Sequence, residues 1–430
     1  MPVLTDHPQR YELSNELHAR PFPEIPGPCQ AYYIALTLPE GAAGARSDLL
    51  ALLDRHGAAH PPEHASHYQG ALGRHRLKWE QHSEFVTYTL FADGLQEAPF
   101  SSDLSDMFPK AWLQSLGGTV ITSARVRIER VTDATAVESR LGPEIRAWFV
   151  SESLAAAYVL DQNVVIAGDF RIDQAGHVRF AVFGLGDVGA RRMGRVVQRM
   201  LEIETYKSMA MMTLPVARRV FGASGELDSD LADISAAMAG GTGASDAMLQ
   251  RLLAISARVE ALASDSAFRF SAGRAYRAIA DQRIKVLREE RIQSSQLFSE
   301  FMTRRFDPAM RTCEAAEKSL SDLSARAARA AELLATQVGV AAADQNRKLL
   351  ESMNKRAALQ MRLQETVEGL SVVAVSYYAV NLMAYLLTPL VKSHLSKTTL
   401  SALLVPPVIL GVWWMIRRIK ARVSATFDGQ

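Results

Sequence analysis

Two uncharged apolar runs toward the C-terminal end constrain this chain more than anything else in it. The first, Gly369 to Val391, reads GLSVVAVSYYAVNLMAYLLTPLV, and the second, Leu400 to Ile416, reads LSALLVPPVILGVWWMI. A helix needs roughly 20 mostly apolar residues to cross a bilayer core of about 30 Å, with a lower limit near about 17. Only Lys392-Ser-His-Leu-Ser-Lys-Thr-Thr399 separates the runs, so the pattern predicts an antiparallel transmembrane hairpin in a lipid bilayer. Trp413 and Trp414 stand where interfacial aromatics collect, and Arg417, Arg418, Lys420 and Arg422 follow as a basic tail. Arg347, Lys348, Lys355, Arg356 and Arg362 precede the first run, whereas the connection carries only Lys392, Lys397 and His394. The positive-inside rule then predicts cytoplasmic termini and an external loop 392–399.

The remainder reads as cytoplasmic. The N-terminal MPVLTDHPQRYELSNELHARPF is polar and lacks the apolar core of a secretory signal. Cys29 and Cys313 form no motif, which fits a reducing compartment. A net charge of +2 gives no field that would draw nucleic acid.

Residues 1–28 are proline-rich and read as an extended segment, with a short helix between Arg10 and Arg20. Over 29–189 the pattern predicts strands at 31–38, 75–91 (a hairpin), 120–131, 164–172 and 177–183. Short helices are expected at 47–56, 109–116 and 143–150. The expected fold class is α+β, with one mixed or antiparallel sheet. From 190 to 306 the periodicity turns helical: 191–213, 228–238, a glycine linker at 240–243, then 244–270 and 274–304 with a break at Gly273.

Pro308 opens a last helix that runs to the membrane without a Pro or Gly pair, forming a stalk over 307–368. Cys313, Leu320, Ala327, Leu334 and Ala341 recur every seven residues, and Ala316, Leu323 and Ala330 fill the second core position. Such a seam predicts coiled-coil packing, either on the hairpin 244–304 or on the same helix of another subunit. A homo-oligomer through the stalk is expected.

Motifs that carry chemistry are weak. Gly184-Leu-Gly186-Asp-Val-Gly189 matches the dinucleotide fingerprint. However, the strand before it reads as the second arm of a hairpin, and helices follow where a parallel strand should come. It is read as a turn, and no cofactor is expected. His56, His60, His64 and His67 with Glu63 cluster in sequence, as do Asp6, His7, Glu16 and His18, but no HExxH or CxxC supports a metal centre. No GxSxG or Walker A pattern occurs, so nothing points to an enzyme, and a membrane-tethered enzyme using residues 1–28 and 56–67 is the least favoured of three readings. The arginines of 269–311 are interleaved with acids as on an ion-paired helix face. Inside the first span Ser376, Tyr377, Tyr378 and Asn381 are polar. An amide in hydrocarbon must find a partner, so Asn381 is expected to face another helix or a pore.

The stretches DHPQRYELSNELHARPF (6–22), LKWEQHSEFVTYTLF (77–91), GRVVQRMLEIETYKSMAMMTLP (194–215), FMTRRFDPAMRTC (301–313) and TVEGLSVVAVSYYAVNLMAYL (366–386) resemble a bacterial family of membrane-anchored proteins called domain of unknown function 3422. The resemblance implies an inner-membrane location and no established activity. The layout of α+β domain, helical bundle, stalk and two C-terminal spans also looks like the CorA-type divalent-cation channels. Their Gly-Met-Asn signature is missing, the nearest triplet being Asn381-Leu-Met383. The primary expectation is an oligomeric interaction or scaffold protein of the membrane, and the alternative is a CorA-like transporter.

Overall fold

The structure is a computed structural model. It describes residues 6–11, 13–14, 21–38, 42–101, 107–132, 134–140, 143–240, 246–387 and 397–427. Most of the expected loop 392–399, the linker 241–243, and Glu16 and His18 lie outside the described residues. The chain divides into two compact units: residues 1–242 with 250–331, and 243–249 with 332–430.

The first unit is built on a nine-stranded sheet: β1 (Cys29–Thr37), β2 (His67–Leu72), β3 (His75–Gln81), β4 (Phe85–Asp93), β5 (Thr119–Val131), β6 (Ala155–Val159), β7 (Val164–Ile172), β8 (Val178–Leu185) and β9 (Glu290–Arg291). The order is β2-β3-β4-β1-β5-β8-β7-β6-β9. β5 and β8 run parallel, and every other neighbouring pair among the described residues is antiparallel. The expected mixed α+β sheet is therefore present. β2 and β6 were not expected as strands. β2 is rich in polar residues and glycine, β6 is alanine-rich, and pairing with β3 and β7 overrides those weak propensities.

Helices cover both faces. On one face lie α1 (Ala42–Arg55), α2 (Lys110–Ser115), α3 (Ala134–Arg140) and α4 (Pro143–Trp148). There Tyr32, Ile34, Leu77, Trp79, Tyr88 and Leu90 pack with Leu49, Leu52 and Trp112, and Ala181 and Phe183 pack with Val137 and Ile145. Across the opposite face runs α5 (Ala190–Met211), which touches β3 through Gln198, β1 through Thr205 and β5 through Glu204.

α6 (Thr213–Ala239), α7 (Asp246–Leu287), α8 (Phe298–Arg305), α9 (Asp307–Leu387) and α10 (Lys397–Phe427) complete the described helices. Three corrections arise here. α6 begins well before Asp228, because Pro215 sits in its first turn, where a missing N–H costs no helical bond. α7 runs straight through Gly273. That glycine marks a close contact instead of a break, since a Cβ there would lie 2.2 Å from Thr213 Oγ1. The helix expected to reach 304 stops at Leu287, where Arg288 turns to φ +52° and the chain pairs briefly with β6 as β9. The Glu289 carboxylate then accepts the N–H groups of Phe298 and Ser299 and starts α8.

α9 is continuous for 81 residues, as the absence of breakers predicts. Within the first unit its early turns pair with α6 and α7, through Arg326 with Asp228, Arg274 with Glu317, and Arg277 with Glu314. Cys313, Ala316, Leu320, Leu323 and Ala327 are buried there, so this part of the seam packs on the chain's own helices. In the second unit Leu334 is buried and Ala341 is exposed. Also in that unit, Val380 of α9 clusters with Val408 and Val412 of α10. The late part of α9, and Ser401–Ile419 within α10, are long and apolar enough to cross a membrane.

Candidate functional site: a polar cleft between the sheet and α5

Alternation along β3 and β4 sends Leu77, Trp79, Val86, Tyr88 and Leu90 into the α1 layer, and hence Lys78, Glu80, Phe85, Thr87, Thr89 and Phe91 toward α5. Here a sheet buried on both sides presents one apolar and one polar face. α5 answers with Gln198, Glu202, Thr205 and Tyr206, and β1 adds Tyr33.

Lys78 is only 4% exposed. Its Nζ lies 3.0 Å from Glu80 Oε2 and donates to Gln198 Oε1 at 2.6 Å. Gln198 Nε2 donates onward to Glu202 Oε1 at 2.8 Å, and Glu202 receives Arg283 from α7. A buried ammonium is thereby tied, donor to acceptor, to the edge of the unit, as burial of a charge requires. Beside it, Tyr33 OH and Thr205 Oγ1 lie 2.5 Å apart. Burial pushes the Tyr33 phenol well above its ordinary pKa, so it stays neutral.

At the mouth, His82 stacks on Phe85 at 4.3 Å, and Tyr206 packs edge-on to Phe85 and stacked on Tyr276. Glu84 holds the β3–β4 turn to α7, accepting from Tyr276 OH at 2.5 Å and Arg269 at 3.0 Å. Burial first, then the Glu84 carboxylate, pushes the Tyr276 phenol up. The cavity in the cleft is about 30 Å³. That holds a water molecule or two and falls far short of the hundreds of Å³ that small-molecule sites occupy. The arrangement therefore serves to fasten α5 and α7 to the sheet.

A second network lies at the α3–α4 end. Glu129 accepts from Arg127, and from Arg140 Nη1 at 2.5 Å, while the Arg140 guanidinium stands 5.4 Å from the Trp148 ring. Burial alone would raise the Glu129 pKa, but the bonds from Arg140 and Arg127 outweigh it and hold the carboxyl below its usual range.

The residues singled out in the sequence are dispersed. In the glycine motif, Gly186 takes φ +56° and donates its N–H to the Val131 carbonyl, closing the turn from β8 into α5. His60 pairs with Asp54 at 2.7 Å, and among the described residues no group of three His, Cys, Asp or Glu could hold a metal. Cys29 and Cys313 are free and buried. Of the arginines of 269–311, Arg269 pairs with Glu84, Arg283 with Glu202 and Arg291 with Glu300, two of these partners lying outside that stretch, whereas Arg304, Arg305 and Arg311 have no ion pair among the described residues. In the apolar part of α9, Tyr377 and Tyr378 are exposed, and Asn381 Nδ2 donates to its own helix at the Tyr377 carbonyl, 3.1 Å away. Ser376 is buried, and its hydroxyl has no partner among the described residues.

The cleft itself has no sequence motif, because its lining is gathered from three strands and a helix, each contributing ordinary residues. Its single local sign is the polar alternation of Lys78, Glu80, Thr87 and Thr89 against large apolar neighbours. No curated protein matches the sequence. A family model described as protein of unknown function (DUF3422) matches residues 5–423, nearly the whole length, and the chain belongs to that family.

Proposed function

We propose that this is an integral membrane protein that works by interaction, with the sheet-based unit on the cytoplasmic side and two C-terminal spans forming a hairpin. The observation that carries the reading is the uncovered apolar surface of the two candidate spans. Leu370, Tyr385 and Leu403 are 75%, 70% and 74% exposed, and Val373, Leu382, Leu386, Leu410 and Trp414 are exposed with them. Leaving such side chains in water forgoes about 1.5–3 kcal/mol each, which lipid recovers. Patches of this size mark membrane or protein contact.

The scaffold role rests on the stalk. With the seam from Cys313 to Leu334 buried, contacts between copies fall beyond it. There Leu349, Met353, Leu363 and Val367 are exposed and share one side of α9 by their helical spacing. The test is fractionation with an alkaline carbonate wash, labelling of Ser396→Cys in intact cells with an impermeant reagent, and native mass spectrometry. The protein should stay in the pellet, the new thiol should label from outside, and oligomers should appear. Release by carbonate would overturn the membrane reading, and a monomer in every detergent tried would overturn the scaffold reading.

A further inference from the structure

The first half of α5 carries Arg191, Arg192, Arg195 and Arg199. Arg191 is paired with Glu24 at 2.7 Å. Among the described residues no carboxylate pairs with the other three. The Arg195 guanidinium stands 6.0 Å from the Phe22 ring, and Arg199 Nη1 makes a long 3.5 Å contact with the Val286 carbonyl. Spacings of three and four residues put Arg192, Arg195 and Arg199 on one side of the helix. Met193, Val196, Val197 and Met200 between them are buried. The end of α7 brings Arg283 and Arg288 to the same place, each already engaged, with Glu202 and Asp161. Burial first, then the like charges of Arg195, Arg283 and Arg288, push the pKa of Arg199 down, against the opposing carboxylate of Glu202. Guanidinium groups nevertheless stay charged at neutral pH. The fold thus holds three arginines together, one of them crowded and partly buried, while the neighbouring acids Glu24, Glu202 and Asp161 serve other arginines.

Guanidinium forks match phosphate oxygens two at a time. From Arg192 to Arg199 the helix rises about 10 Å, more than a single phosphate spans. We infer that this face of α5 binds an anion carrying two or more phosphates, or an array of phosphate headgroups. The positive end of the α5 dipole, at the same end, adds to the attraction. The residues it rests on all belong to the first unit; the free-anion form does not depend on the membrane reading, whereas the headgroup form rests on it.

The full chain in neutral detergent is titrated calorimetrically with inorganic pyrophosphate. In parallel it is placed in nanodiscs of phosphatidylcholine, with or without phosphatidylglycerol, and hydrogen exchange over residues 190–200 is compared. Saturable pyrophosphate binding that weakens with salt assigns a free oligophosphate, and protection only in anionic nanodiscs assigns lipid headgroups. In either case Arg195→Gln/Arg199→Gln should weaken the response about a hundredfold, two charge-assisted contacts at about tenfold each. Arg191→Gln, which removes an already paired arginine, should change it less than about threefold. Circular dichroism checks that each variant folds, and if the double variant does not, the single Arg192→Gln replaces it with an expected loss of about tenfold. No response to pyrophosphate and none to anionic lipid, or a response unchanged in a folded variant lacking these arginines, overturns the inference.

Discussion

Replacing Gly273 by alanine sets two opposed effects against each other at one position. In a helix interior, alanine is favoured over glycine by about 0.8–1.0 kcal/mol. The new methyl, however, would lie 2.2 Å from Thr213 Oγ1 and 3.1 Å from Thr213 Cβ. Thr213 is 1% exposed and held by its bond to the Arg269 carbonyl at 3.1 Å, so it cannot swing away freely. Overpacking of this kind costs about 1–3 kcal/mol, so the variant should be destabilised by up to about 2 kcal/mol despite its better propensity. Thr213→Ala alone should cost about 1 kcal/mol for the lost hydrogen bond. In that background Gly273→Ala should become neutral or slightly stabilising, a coupling of about 1–2 kcal/mol. The assay is urea unfolding of the full chain in detergent, followed by the emission of Trp79, Trp112 and Trp148 of the sheet-based unit over a constant background from Trp413 and Trp414. If Gly273→Ala is at least as stable as wild type with Thr213 present, the close α6–α7 contact does not govern this position.

Leu320→Asp should destabilise the sheet-based unit by about 3 kcal/mol or more whatever the assembly state, since it buries an unpaired charge; circular dichroism melts of monomeric and oligomeric fractions check this. Glu129, whose folded pKa is depressed, contributes stability that is present above about pH 4.3 and lost as pH falls through the lower folded value. Glu129→Gln should therefore flatten the acid limb of the stability profile and cost about 1–3 kcal/mol at pH 7, where Arg127 and Arg140 lose the negative charge and one of the two acceptor oxygens they share. The Cys29 thiol is pushed up to about 12 by burial, so iodoacetamide at pH 8 should leave it unmodified until urea is added. Asn381→Leu should weaken assembly by on the order of 1 kcal/mol if the amide joins helices, whereas altered ion flux in liposomes with assembly intact would favour a pore.

What the sequence discloses follows from how local each signal is. β5 alternates from Ala124 to Glu129, and the two candidate spans and α9 are long and run on without a helix break, so these elements are legible without their neighbours. β6, reading Ala-Ala-Ala-Tyr-Val, has little strand propensity of its own and is extended because β7 pairs with it. Gly273 looks like a helix breaker when only its own segment is considered, because the residue that explains it, Thr213, sits in another helix. The cleft around Lys78 was illegible for the same reason. A lysine between a leucine and a tryptophan on a strand looks like a solvated edge until α5 brings Gln198 to it. The heptad seam was visible, but the identity of its partner depends on where α6 and α7 fold back.

The far edge of the sheet has a consequence for the order in which the chain can fold. β6 is buried at all five positions, yet among the described residues its outer edge is closed by Glu290 and Arg291 and by the Gln296 carbonyl accepting from Ala156 N–H. Those residues are synthesised after α5, α6 and α7. Throughout that interval a short apolar strand waits with one row of peptide groups unpaired, which is the template that recruits foreign strands. A fragment ending after α6 would keep eight of the nine strands and still carry that open edge. Such a fragment should aggregate, whereas one extended to Ala331, where the first unit ends, should stay dispersed. The few residues around β9 thus act as a late-arriving guard on the sheet.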